Sequence, residues 1–184
     1  DLWCKVAYES QRDCKPGSPR RGHALVLAGE NNSGKSFLQQ HLITPLLGGR
    51  EADPTPFLTG EDIFNSDLVG AELWFSDELK GASQKTVDRV KLSEGLKAIA
   101  VEEKKRMRLM RTNPVTVYPF VRMVLAMNDA VEKMRAYPML TNDFRDKVVM
   151  LKCVKRPLPM PTESVVEKKA FNDAVAAQMP AYCW

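Results

Sequence analysis

Apolar residues follow two different rhythms along this chain. Ala24–Ala28 (ALVLA), Ala71–Phe75 and Val121–Met127 are apolar at nearly every position, and Val148–Leu151 is a shorter run of the same kind. Strands buried on both faces of a parallel sheet read this way, because neither face has to be polar. Elsewhere the spacing is helical. Phe37, Leu38, Leu42 and Leu46 recur within SFLQQHLITPLL, and Val87, Val90, Leu96 and Ile99 recur within Gln84–Ala100, where Gly95 weakens the pattern. The stretch VTVY follows an Asn113-Pro114 turn signal and has strand-forming residues. Ser164-Val165-Val166-Glu167 is a capping box that predicts a last helix to about Gln178. GGREADPTPFLTGED is loop by composition, with Pro54 and Pro56 as breakers. Strands alternating with helices predict an α/β fold with a mainly parallel sheet. The core spans 23–156, between an amphipathic segment with a basic linker (1–22, ending in KPGSPRRG) and a C-terminal helical segment (157–184).

Composition changes this picture little. The 184 residues are 44% hydrophobic and 27% charged, ordinary for a soluble domain. No apolar run approaches the ~18 residues of a membrane span, and no signal peptide opens the chain. The default setting is therefore cytoplasmic, without a membrane partner. Cys4, Cys14, Cys153 and Cys183 are scattered with no CxxC pair, which favours free thiols in a reducing compartment over a zinc site completed by His23 or His41. The net charge of +4 is mild. The chain starts at Asp1 and stops at Trp184 straight after a helical pattern, as a piece of a longer protein would.

The chemistry begins directly behind ALVLA. Gly29-Glu30-Asn31-Asn32-Ser33-Gly34-Lys35-Ser36 matches the P-loop pattern in full. Glycines let the backbone curl so that successive N–H groups face phosphate oxygens, and the helix starting near Lys35 adds its positive end. Lys35 should reach the β- and γ-phosphates of a nucleotide, and the Ser36 hydroxyl should bind Mg²⁺. LWFSDE then ends an apolar strand in two acids, at the strand end where open α/β sheets keep their ligands. Asp77 is expected to hold Mg²⁺ through water and Glu78 to polarise the attacking water. Asn128, just past VRMVLAM, can hydrogen-bond that water or the γ-phosphate.

Between the acids and Asn128 lies VEEKKRMRLMRTNPVTVYPF, and the order of these parts resembles the superfamily 3 helicases, an AAA+ branch of phages, plasmids and viruses. The phage and plasmid primase–helicases are the nearer likeness. It rests on GENNSGKS, FNSDLVGAELWFSDE, the block from Val101 to Asp129 and FRDKVV, roughly residues 23 to 152. The resemblance implies a P-loop NTPase of AAA+ type with an inserted basic β-hairpin. ATP and Mg²⁺ would be its cofactors, single-stranded DNA its partner, and a homo-oligomeric ring, a hexamer, its assembly. Lys104, Lys105, Arg106, Arg108 and Arg111 would grip the phosphate backbone, a contact that weakens steeply with salt. Arg145, with Arg135 behind it, would complete the ATP site of the neighbouring subunit, although the family's arginine pair is here Arg145-Asp146-Lys147. A primase or origin-binding region would lie on a missing flank. FNSDLVG is expected to pack under the nucleotide site without a chemical role. Rival readings are a loader or nucleotide-dependent assembly switch, a small-molecule kinase, and a DNA-binding module whose ATP site is only structural.

Overall fold

The computed structural model describes residues 2–15, 22–77, 104–118, 120–129 and 146–182. Five strands form one parallel sheet: β1 (Ala24–Gly29), β2 (Glu51–Ala52), β3 (Leu73–Asp77), β6 (Arg122–Met127) and β7 (Val148–Cys153), in the order β2-β3-β6-β1-β7. A separate antiparallel ribbon pairs β4 (Lys105–Met107) with β5 (Val115–Val117). The α/β class and the mainly parallel sheet are therefore as the sequence pattern predicts, and the inserted hairpin is as the family resemblance implies.

The continuous apolar runs become the inner strands. Every residue of β1 and β6 is buried, β6 including Arg122, whose guanidinium lies 4.5 Å from the Phe120 ring centroid. Burial pushes that guanidinium down to about 10. Alternation within each strand then sorts the faces. Leu25, Leu27, Leu73, Phe75, Val124 and Ala126 meet Ile43, Leu47 and Ala7 from the helices on one side. Trp74 points to the other side, where Leu68, Ala71 and Met107 enclose it. Fully burying side chains of this size contributes about 1.5–3 kcal/mol each, before the entropy of ordering them.

Five helices are described: α1 (Leu2–Arg12), α2 (Lys35–Leu38), α3 (Thr44–Leu46), α4 (Thr55–Thr59) and α5 (Val165–Tyr182). Helix α1 is tied to the core by Trp3 Nε1 donating to the His23 carbonyl (2.9 Å) and Gln11 Nε2 donating to the Leu47 carbonyl (2.7 Å). Helix α5 opens with the expected capping box. Glu167 accepts from the Ser164 N–H (2.8 Å), and the Ser164 hydroxyl accepts from the Glu167 N–H (3.2 Å). Phe171 docks α5 against Phe37, with ring centroids 5.3 Å apart.

The structure corrects several expectations. The segment behind the glycine-rich loop is not one regular helix, because α2 and α3 are separated by a π-helical turn, Gln39–Ile43. Pro45 cannot donate to the carbonyl four residues back, and the Thr44 N–H bonds Gln39, five residues back. The buried stripe is consequently Lys35, Gln39, Ile43 and Leu47 rather than Phe37, Leu38, Leu42 and Leu46. The presumed loop at 48–62 contains β2 and α4, since pairing with β3 and the Asp53 carboxylate bonded to the Thr55 N–H (2.9 Å) order it. Strand β7 is an edge strand with Met150 and Leu151 exposed, not a fully buried one. The helix expected at Gln84–Ala100 lies outside the described residues.

Candidate functional site

Because the sheet is parallel, the carboxyl ends of β1, β3 and β6 open on the same edge. Register fixes the rest: Ala28 pairs with Met127, and Asp77 pairs with Ala126. The glycine-rich loop after β1, Asp77 at the end of β3 and Asn128 after β6 are thereby brought side by side. Strand β6 lies between the other two, so Asn128 enters the site from its middle.

The loop has the backbone that its sequence demands. Asn32 (φ 61°) and Gly34 (φ 85°) are left-handed, the second immediately before α2. No atom lies within 4 Å of where a Gly34 Cβ would be, so glycine is required there for conformation and not for space. Gly29 is the opposite case, since a Cβ would run into the Cys153 carbonyl oxygen of β7. Lys35 is 8% exposed, and its ammonium donates to the carbonyls of Gly29 (2.8 Å) and Glu30 (2.7 Å) and to Ser33 Oγ (3.3 Å). It lies inside the curl of the loop. Burial pushes the Cys153 thiol up, and the nearby Lys35 charge opposes that shift.

Two hydrogen bonds join the loop to the neighbouring strands. Ser36 Oγ donates to Asp77 Oδ2 (3.1 Å), and Asn128 Nδ2 donates to Asn31 Oδ1 (3.0 Å). A hydroxyl and an exposed carboxylate in contact are hard oxygen donors. They fit Mg²⁺, which takes one or two carboxylates and completes its shell with phosphates and water. Among the described residues no group of three or more His, Cys, Asp or Glu side chains could hold a metal. A cavity of about 330 Å³ adjoins Asp77, lined by Glu51, Asp53, Thr55 and Glu61 among others. Its wall is ordered by the chain Asp53–Thr55–Ser76, in which Thr55 Oγ1 and the buried Ser76 Oγ lie 2.7 Å apart. Nothing in the sequence pattern points to Thr55 or to the Cys153 carbonyl, because both act through tertiary proximity.

The cationic ribbon stands apart from this edge. Arg106 and Arg108 are exposed while Met107 between them is 1% exposed, as a period of two requires. Lys104 is exposed with its ammonium 5.8 Å from the Tyr118 ring centroid, and Arg111, also exposed, sits in the turn at φ 59°. Lys105 pairs with Val117 through the backbone. A cleft of about 530 Å³ opens between the ribbon and the 57–65 segment, with Phe57, Ile63, Arg106 and Arg108 on its walls. The FNSDLVG segment packs on β3 through Leu68 and Trp74 and also supports the ribbon. Asn65 Oδ1 accepts from the Arg108 N–H (2.6 Å), and the Leu68 carbonyl accepts from Trp74 Nε1 (3.2 Å). Glu78, Arg135 and Arg145 lie outside the described residues.

The model of a family of unknown function (DUF5906) matches residues 27–143, well over half of the chain. No curated protein matches it. Among solved structures, the apo C-terminal region of NrS-1 superposes with a TM-score of 0.70 at 14% identity, over 99% of this chain and 39% of that one. A second form of the same region gives 0.66 at 13% identity, again over 99% and 39%. A ligand-bound JCV helicase gives 0.50 at 14% identity, over 98% of this chain and 46% of that one. The fold is thus one shared with helicase-related domains. The chain spans about two fifths of the NrS-1 region it resembles. No described helix is long and apolar enough to cross a membrane.

Proposed function

We propose, for a chain that belongs to the family of unknown function DUF5906, that it is the ATP-hydrolysing motor domain of a ring-forming helicase that moves along single-stranded DNA. The observation that carries this reading is the convergence of three loops on one sheet edge, with Ser36 bonded to Asp77 and Asn128 bonded to Asn31. The exposed cations of the β4–β5 ribbon extend it from nucleotide to nucleic acid.

Bound ATP and Mg²⁺ would supply the transferable phosphoryl group and the charge that neutralises it. The chain's own part is positioning. The N–H groups of Gly29 to Ser36 cradle phosphate oxygens, and the Lys35 ammonium exchanges its loop carbonyls for them. Ser36 and Asp77 would hold the metal, Asn128 would orient the attacking water or the γ-phosphate, and Glu78 would polarise that water. In a hexameric ring, Arg145 would be the residue contributed to the ATP site of the next subunit. A primase or origin-binding region on a flank, and a role in phage or plasmid replication in the host cytoplasm, belong to the same proposal.

The test is the ATPase rate of the full chain with and without oligo(dT), for the parent, Lys35→Ala, and Arg106→Ala/Arg108→Ala. The motor reading expects stimulation by DNA in the parent. The arginine double variant should lose stimulation while still binding ATP, and Lys35→Ala should lose turnover altogether. A parent that forms rings and hydrolyses ATP at a rate indifferent to DNA would instead be the loader or assembly switch.

A further inference from the structure

We infer that Asn65 is a positioning residue that sets the β4–β5 ribbon in fixed register on the acidic strand. The inference rests on the motor reading for its functional consequence, and on the geometry of this chain alone for the contact itself. Asn65 is 2% exposed and makes three bonds to the backbone at the end of β4, one to Arg106 within the strand and two to Arg108 just after it. Its Oδ1 accepts from the Arg108 N–H (2.6 Å), its Nδ2 donates to the Arg106 carbonyl (3.3 Å), and its backbone N–H donates to the Arg108 carbonyl (3.3 Å). A side-chain amide here does what a neighbouring strand would do, bonding the backbone on both sides of Met107. The groups it holds belong to Arg106 and Arg108, whose exposed side chains are two of the ribbon's cations.

The other end of the link is equally defined. The turn that carries Asn65 runs on to Leu68, which is 1% exposed and packs with Met107 of β4 and Trp74 of β3. Trp74 also donates its ring N–H to the Leu68 carbonyl (3.2 Å), three residues before Asp77 in the same strand. A path of packed and hydrogen-bonded atoms therefore leads from the backbone of Arg106 and Arg108 to the strand that ends at the nucleotide site. An aspartate at position 65 could accept but not donate, and a serine would have one oxygen for both tasks, whereas the asparagine amide accepts the Arg108 N–H and donates to the Arg106 carbonyl through separate atoms.

The test compares the full parent chain with Asn65→Ala and Asn65→Asp. Amide hydrogen exchange of the free protein reads the clamp without any ligand. The Arg108 amide should exchange at least about tenfold faster in Asn65→Ala. In Asn65→Asp, whose carboxylate still accepts that N–H, most protection should return. If Asn65→Ala does not fold, Asn65→Asp still decides, because loss of Nδ2 alone should loosen the ribbon while Arg108 stays protected. For function, the Kd for oligo(dT) should rise about tenfold in Asn65→Ala with a flatter salt dependence, as two phosphate contacts cease to act together. ATP affinity should stay within about twofold of the parent. Unchanged Arg108 protection in a folded Asn65→Ala overturns the clamp. An ATP affinity that falls in step with DNA affinity overturns the positioning role and leaves general support of the fold. If the parent binds no oligo(dT), the motor reading falls instead, and the exchange result alone decides the clamp.

Discussion

The nucleotide edge and the cationic ribbon handle charge in opposite ways. At the loop after β1 the cation turns inward, with Lys35 8% exposed and held by three oxygens of its own loop. On the ribbon the cations turn outward, and only the backbone beneath them is held, by Asn65. The first site is rigid because fully buried central strands define it. The second is a three-residue pair of strands that could not stand alone, since an isolated hairpin is marginal in water. Its stability comes from Met107 inserted beside Trp74 and Leu68. A pre-formed cage suits a compact triphosphate, whereas an exposed row of guanidinium groups suits a polymer read only by its phosphates.

The difference can be broken from either side. The largest effect is expected for Lys35→Ala, with turnover down by about 10²–10³ in a steady-state ATPase assay. The ribbon should remain formed, because Lys35 makes no contact with it. Gly29→Ala comes next. Its Cβ would collide with the Cys153 carbonyl, a backbone atom that cannot swing away. A cost of about 1–3 kcal/mol is expected, or about tenfold to a hundredfold in ATP affinity by titration calorimetry. Arg106→Ala/Arg108→Ala should act on the other region alone. Its slope of log affinity against log salt should flatten by about 1.4, at about 0.7 per phosphate contact on a single strand. If that slope is unchanged, the ribbon does not carry the nucleic-acid contact.

The smallest effect sharpens the comparison by lying outside both regions. Ser164→Ala should cost about 1 kcal/mol of α5 stability, read by hydrogen exchange along the helix. The Ser164 and Glu163 N–H donors hold the Glu167 carboxyl below its ordinary 4.5. A depressed carboxyl contributes its stabilisation in full above that value and loses it as pH falls through the lowered one. The start of α5 should therefore fray on acidification below about pH 4.5 in the parent and show little further change in Glu167→Gln. Both regions described above should be untouched.

Much of the fold was legible because its signals are local. ALVLA and VRMVLAM read as buried strands by apolar continuity, SVVE as a cap by its spacing, and GENNSGKS as a tight curl before a helix by its glycines. The misreadings share a cause. Gln39 is polar yet fully buried, because its amide bonds Thr44 (2.9 Å) and Glu51, and hydrophobicity alone cannot foresee a partner twelve residues away. Strand β2 exists only because β3 offers it an edge. In sequence FNSDLVG reads only as packing near the site, and its second role, as a ledge for a ribbon some forty residues later, lies beyond any local window.

By itself the sequence determined that β1, β3 and β6 are buried, where the glycine-rich loop curls and that a basic segment interrupts the core. Periodicity, glycine conformation and charge are properties of neighbours along the chain. Only the tertiary structure decided that β6 lies between β1 and β3, setting Asn128 against Asn31 and Ser36 against Asp77. Strand order and register depend on which faces bury together, and no local window of residues contains that choice. The same holds for Asn65, whose amide found its donors and acceptors across 41 and 43 residues of chain.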